Sequence, residues 1–134
     1  MRINDKTEEI EKYLQELSEI VPESFEEYKK NMEKKRACER YIEIIIEAAV
    51  DLAFLVIKQK GWRIPKEDSG AFYILSENNI ISLGLAKKLD DAKGMRNILA
   101  HEYGEVDDEK VFEAVKNELV KDVREFLELL GKAV

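Results

Sequence analysis

Arg96 and His101 stand five residues apart, with Tyr103 two further on, in the stretch GMRNILAHEYGE (94–105). His101 is the only histidine in the chain. An imidazole that titrates near neutrality can take or give a proton. A guanidinium keeps its charge and grips phosphate through two parallel hydrogen bonds. Together they suit attack of a ribose 2′-hydroxyl on the adjacent phosphodiester. His101 would act on the hydroxyl or on the leaving oxygen, and Arg96 would balance the charge growing on phosphorus. That chemistry requires no metal. The sequence offers no metal set: one histidine, one cysteine, and acids scattered over helix faces.

A helix must position these groups. Leu85, Leu89, Ala92, Arg96, Leu99 and Tyr103 step by three or four residues and form one stripe. Arg96 thus occupies a position where the pattern asks for an apolar side chain, so its charge needs an anionic partner or a wet cleft. Gly94, close by, would admit another backbone or a ligand. Five residues turn through about 500°, so Arg96 and His101 end roughly 140° apart around a regular helix. Either the helix loosens before Gly104, or another surface completes the site. A second copy across a two-fold axis would bring two arginines and two histidines into one cleft. Plainer readings coexist with this one. A lone histidine near a helix end is commonly a C-terminal cap, a striped arginine is commonly paired to a nearby acid, and Tyr103 alone would be a core residue with its hydroxyl at the rim.

Other charges sit where they could serve the same cleft. Arg36, Arg40, Glu43, Glu47 and Asp51 step along one side of a long helical segment. Glu47 or Asp51 could orient Arg96 or His101, while Arg36 and Arg40 extend a phosphate track. The alternative is a solvated stripe with Arg40 paired to Glu43 or Glu47 at helical spacing. Lys93, with Lys87 and Lys88, could add to a basic cleft.

The remaining sequence describes the scaffold. Its 134 residues fit one domain, residues 1–134, and 45% apolar with 38% charged residues fits a packed core. The net charge of -7 argues against a nucleic-acid coat protein. The charge is uneven, however: residues 29–40 carry six Lys/Arg against two Glu, so an acidic chain can still hold a basic cleft. Cys38 is alone, which excludes an intrachain disulfide and fits a reducing compartment. Lys34 and Lys35 nearby could lower its pKa, although a lone helical cysteine usually serves packing. The first helix lacks the apolar centre of a signal peptide. The most apolar run, 41–57, carries Glu43, Glu47 and Asp51 and makes a poor membrane span. A soluble cytoplasmic protein is expected.

The class is all-α, because no segment sustains a two-residue alternation. A first helix is expected over about Asp5–Val21, with Ile10, Leu14, Leu17 and Val21 on one face, stopped by Pro22. Ser24 and Glu27 form a capping box, from which a single helix would run to about Lys60, with Tyr28, Met32, Ala37 and Tyr41 on its inner stripe. Gly61 and Pro65 end it. A short helix in AFYILSENN precedes the helix bearing Arg96, which opens near Ser82 or Leu83 and reaches about Ala100–Glu102. Asp107 or Asp108 caps the last helix, which carries Val111, Val115, Leu119, Val123, Phe126 and Leu130. The expected architecture is an up-and-down bundle of about four main helices and one or two short ones.

RNILAHEY (Arg96–Tyr103) resembles the signature of HepT-like toxins of the HEPN superfamily: arginine, four residues, histidine, any residue, tyrosine. RACERYIEIIIEAAVDLAFLVIKQKGWRIP looks like that family's long helix and the loop after it. LAKKLDDAKGMRNILAHEYGEVDDEKVFEAV looks like its motif helix and the segment that follows. The likeness spans most of residues 30–130. It implies an all-α HEPN bundle that dimerises through its motif helices and acts as a metal-independent endoribonuclease on RNA such as transfer or messenger RNA, with no cofactor. It implies as partner a minimal nucleotidyltransferase antitoxin that transfers AMP to the motif tyrosine. By position, Arg96 and His101 become the catalytic pair, Asn97 the polar residue beside the arginine, and Tyr103 the modified residue. The alternatives are a non-catalytic HEPN module that only grips nucleotide or RNA, and a purely structural helical dimer.

Overall fold

A computed structural model describes residues 2–67, 69–101 and 106–134, with the backbone alone at residues 69, 100 and 101. Every regular element among them is helical. α1 covers Arg2–Ile20 and buries Ile10, Leu14 and Leu17, three positions of its expected apolar face. The bend at Val21 and Pro22 ends it, as the missing proline N–H requires.

The expected single helix from Ser24 to Lys60 is two helices. α2 spans Phe25–Lys30, and the Ser24 hydroxyl accepts the Glu27 N–H at 3.2 Å, as the capping pattern anticipates. α3 spans Met32–Lys60. The break falls at Asn31, whose backbone is extended (φ -106°, ψ 94°) and whose Oδ1 accepts the Lys34 N–H at 3.0 Å. Its short amide side chain satisfies a new helix start in place of the continuing turn. Met32, expected on the inner stripe, is consequently 55% exposed. Gly61 closes α3 at φ +73°, with Trp62 N–H bonded back to Ile57 O, the left-handed cap expected there.

α4 spans Ser69–Glu77. Gly70 lets the chain pack on Pro65: a Cβ there would stand 2.8 Å from Pro65 Cβ. α5 runs Leu83–His101, started by the Ser82 hydroxyl accepting the Leu85 N–H at 3.0 Å. Asp107 Oδ1 accepts the Glu109 and Lys110 N–H groups to begin α6, Asp108–Glu113. A π-helical turn, Ala114–Glu118, joins α6 to α7, Leu119–Ala133. The turn explains the spacing of Val111, Val115, Leu119 and Val123. Three steps of four drift by about 120° around an ideal helix, and one extra residue in a wide turn takes up about 100°. All four residues are buried.

α1, α3, α5 and the α6–α7 rod are the four main helices of an up-and-down bundle, with α2 and α4 the short ones. α3 packs on α1, α4 and α5, while α5 also packs on α4 and α7. One apolar cluster runs through the bundle, with Phe72 edge-on to Phe126 at 5.6 Å. No helix among the described residues is long and apolar enough to cross a membrane.

Candidate functional site

α5 is held to the bundle by Leu85 and Leu89, which are buried, and by Ala92 and Leu99, which pack on the same cluster. Arg96 continues that line as the sequence pattern requires, and it is half-buried. Its Nε and Nη2 both donate to Asn97 Oδ1, at 3.2 and 2.9 Å. Among the described residues, no carboxylate lies within ion-pair distance of its guanidinium. A neutral amide therefore fixes the orientation of the group and leaves its positive charge in place. Among the described residues two of its five N–H groups are engaged this way, which leaves up to three to meet an anion. Lys93, one turn earlier and half-buried, adds a second cation to α5.

His101 is the last residue of α5, about 7.5 Å along the axis from Arg96 and roughly 140° around it in regular register. Its side chain, and Tyr103 within residues 102–105, lie outside the described residues.

The α3 residues are placed as follows. Arg36 and Arg40 are two-thirds exposed, each beside a carboxylate one turn on: Arg36 with Glu39 at 3.1 Å, Arg40 with Glu43 at 3.5 Å. Glu47 is exposed. Asp51 turns to α1, where its carboxylate stands 3.8 Å from Lys6 Nζ. Among the described residues neither Glu47 nor Asp51 is paired with Arg96, whose hydrogen-bond partner is the neighbouring Asn97. Lys6 also pairs with Glu9 at 2.8 Å, and that hydrogen bond holds the Glu9 carboxyl below its ordinary value.

Sequence reading missed a second set of polar residues. Lys35 of α3 donates to Asp108 of α6 at 2.7 Å, with both side chains largely covered, and so ties the element that follows the motif to the long helix. Phe25, Tyr28 and Phe112 form an aromatic cluster, with Phe25 stacked on Tyr28, both tilted against Phe112, and ring centres 5.3–6.4 Å apart. The Tyr28 hydroxyl is buried without a partner among the described residues, and burial raises its pKa well above the ordinary phenol value. Burial likewise pushes the Cys38 thiol up to about 11, so it is a packing residue and not a thiolate nucleophile. The attraction of nearby Lys34 is the weaker influence. Among the described residues, no three His, Cys, Asp or Glu converge to hold a metal ion.

Comparison with known proteins bears on this arrangement. The family profile described as ribonuclease HepT-like matches residues 10–130. A tRNA nuclease HepT of Aphanizomenon flos-aquae is 29% identical over 113 residues, covering 84% of this chain and 77% of that protein. An mRNA nuclease HepT of Shewanella oneidensis is 31% identical over 84 residues, covering 63% of this chain and 62% of that protein. Among solved structures, the tri-AMPylated Shewanella oneidensis HEPN toxin in complex with MNT antitoxin superposes with a TM-score of 0.91 at 22% identity, over 97% of this chain and 96% of that one. At that identity the likeness is one of fold.

Proposed function

The chain belongs to the ribonuclease HepT-like family, and from that premise we propose that it is the toxin of a toxin–antitoxin module, an endoribonuclease that cuts RNA without a metal. Arg96 and His101 are its catalytic residues, in a cleft shared by two copies of the chain. His101 moves a proton at the 2′-hydroxyl or at the leaving 5′-oxygen. As the 2′-oxygen bonds to phosphorus, the bond to the 5′-oxygen breaks, leaving a 2′,3′-cyclic phosphate and a free 5′-hydroxyl. Arg96 meets the charge that grows on the phosphoryl oxygens. Asn97 is a positioning residue, and Lys93, Arg36 and Arg40 would meet flanking phosphates.

The observation that carries this reading is the state of Arg96. A guanidinium on an apolar stripe, oriented by two hydrogen bonds to a neutral acceptor, is ready for an external anion. The partner is a nucleotidyltransferase antitoxin, as in the solved complexes of similar fold. AMP transferred to Tyr103 would place an anionic phosphate in competition for Arg96 and close the site. The test is digestion of RNA by the purified protein in the presence of chelator. Wild type should cut, and Arg96→Ala and His101→Ala should not. Binding of RNA without cutting would favour the silent HEPN module, and neither binding nor cutting would favour a structural dimer.

A further inference from the structure

Two openings lie side by side between α5 and the α6–α7 rod, one of about 440 Å³ and one of about 580 Å³, and they meet at Asp91 and Met95. Together they follow α5 from Lys88 to Leu99, about 16 Å or three helical turns. The floor is apolar, with Met95, Leu99, Val111 and Leu119 contributing. The π turn forms part of one wall through Ala114 and Glu118, so the extra residue that keeps the C-terminal stripe in register also shapes the trough.

The rim is acidic. Asp90, Asp91, Asp107, Glu118 and Asp122 stand against Lys88, Lys110 and Lys121. None of the eight is in an ion pair among the described residues. Burial is the main cause holding the Asp122 carboxyl above its ordinary value, more than Lys88 lowers it. A partly desolvated carboxylate in this position gains from a cation supplied from outside. The same rim repels phosphate, which disfavours RNA.

We propose that this trough is a docking groove for an amphipathic helix of the partner protein, bearing apolar side chains at three- and four-residue spacing flanked by lysine or arginine. The length, the apolar floor with an adaptable methionine, and the sign of the rim all fit that occupant. The partner is taken to be the nucleotidyltransferase antitoxin, so the inference rests on the pairing proposed above. It adds the surface through which the pairing occurs, which shares Ala92 and Leu99 with the stripe of α5 that bears Arg96 but is not lined by Arg96 itself.

The test is calorimetric titration of purified antitoxin into wild type, Asp91→Lys/Asp122→Lys and Asp91→Asn/Asp122→Asn. The charge-reversed protein should bind at least tenfold more weakly and the neutral one by an intermediate factor. RNA cleavage by the isolated toxin and its helical circular dichroism should be unchanged. The neutral variant decides the matter should the reversed one fail to fold. Equal affinity for all three would overturn the groove and leave the pairing standing. No binding by wild type would overturn both. Conversion of the variants to monomers would assign the groove to self-association, and loss of RNA cleavage would assign it to substrate; each contradicts the proposal.

Discussion

Replacing Asn97 by Asp preserves the shape of the group that holds Arg96 and adds one negative charge. The acceptor oxygen is 2.9 Å from Nη2. At that distance two unit charges attract by about 1.4 kcal/mol in a water-like medium and by about 6 kcal/mol at an effective dielectric constant of 20, before desolvation is subtracted. Arg96 is half-buried, between those limits, and an incoming phosphate must displace the new carboxylate or bind beside its negative charge; a net penalty of about 1.4 kcal/mol weakens the hold about tenfold. Asn97→Ala acts differently. It removes two hydrogen bonds to a charged donor and leaves the charge intact, so orientation is lost while attraction survives. The assay is single-turnover cleavage of a short RNA over a range of enzyme concentrations. Asn97→Asp should raise the half-saturating concentration at least tenfold, whereas Asn97→Ala should chiefly lower the maximal rate. An Asn97→Asp protein that saturates and cuts like wild type would refute the idea that a neutral acceptor keeps Arg96 available.

Leu89→Ala should cost about 2–5 kcal/mol, because a fully buried leucine leaves a cavity under the helix that bears Arg96; a urea melt measures it. Cys38 should resist iodoacetamide at pH 8 in the native protein and react at the rate of a free thiol once unfolded, since burial has moved its pKa to about 11. Glu9 has a folded-state pKa lowered by Lys6 and then Tyr13, so the stability it contributes is present above the unfolded value of 4.5 and disappears as pH falls through the folded one. Glu9→Gln should therefore flatten the loss of stability below about pH 4.5, and an unchanged acid limb in thermal melts would count against that assignment.

Much of the scaffold was legible because its signals are local. The spacing of Ile10, Leu14 and Leu17, the Ser24 cap, the Gly61 stop and the Leu85–Leu89 stripe each depend on residues a few positions apart. The break at Asn31 was also local, but an asparagine inside a long helical pattern carries weaker punctuation than glycine or proline. The π turn left a trace in the run of four-residue spacings, legible only once the drift of an ideal helix is followed through three steps. Lys35 and Asp108 are 73 positions apart, and Lys6 and Asp51 lie on different helices; nothing in sequence periodicity pairs them. The same limit applied at Arg96. Its place on the stripe was readable, whereas the direction its guanidinium takes, onto Asn97 of the same helix, is a rotamer choice that periodicity does not carry.

The claim that matters most is joint action of one guanidinium and one imidazole on a single phosphodiester. Its most direct measurement is the single-turnover cleavage rate, in chelator, of wild type, Arg96→Ala, His101→Ala and the double variant. Loss of a proton-transfer group or of a charge stabiliser each costs on the order of 100-fold or more. The account predicts such a fall for each single variant, with the double variant little slower than the worse of the two, because either loss dismantles the same step. Single variants that cut like wild type, or losses that multiply in the double variant as independent contributions do, would contradict it.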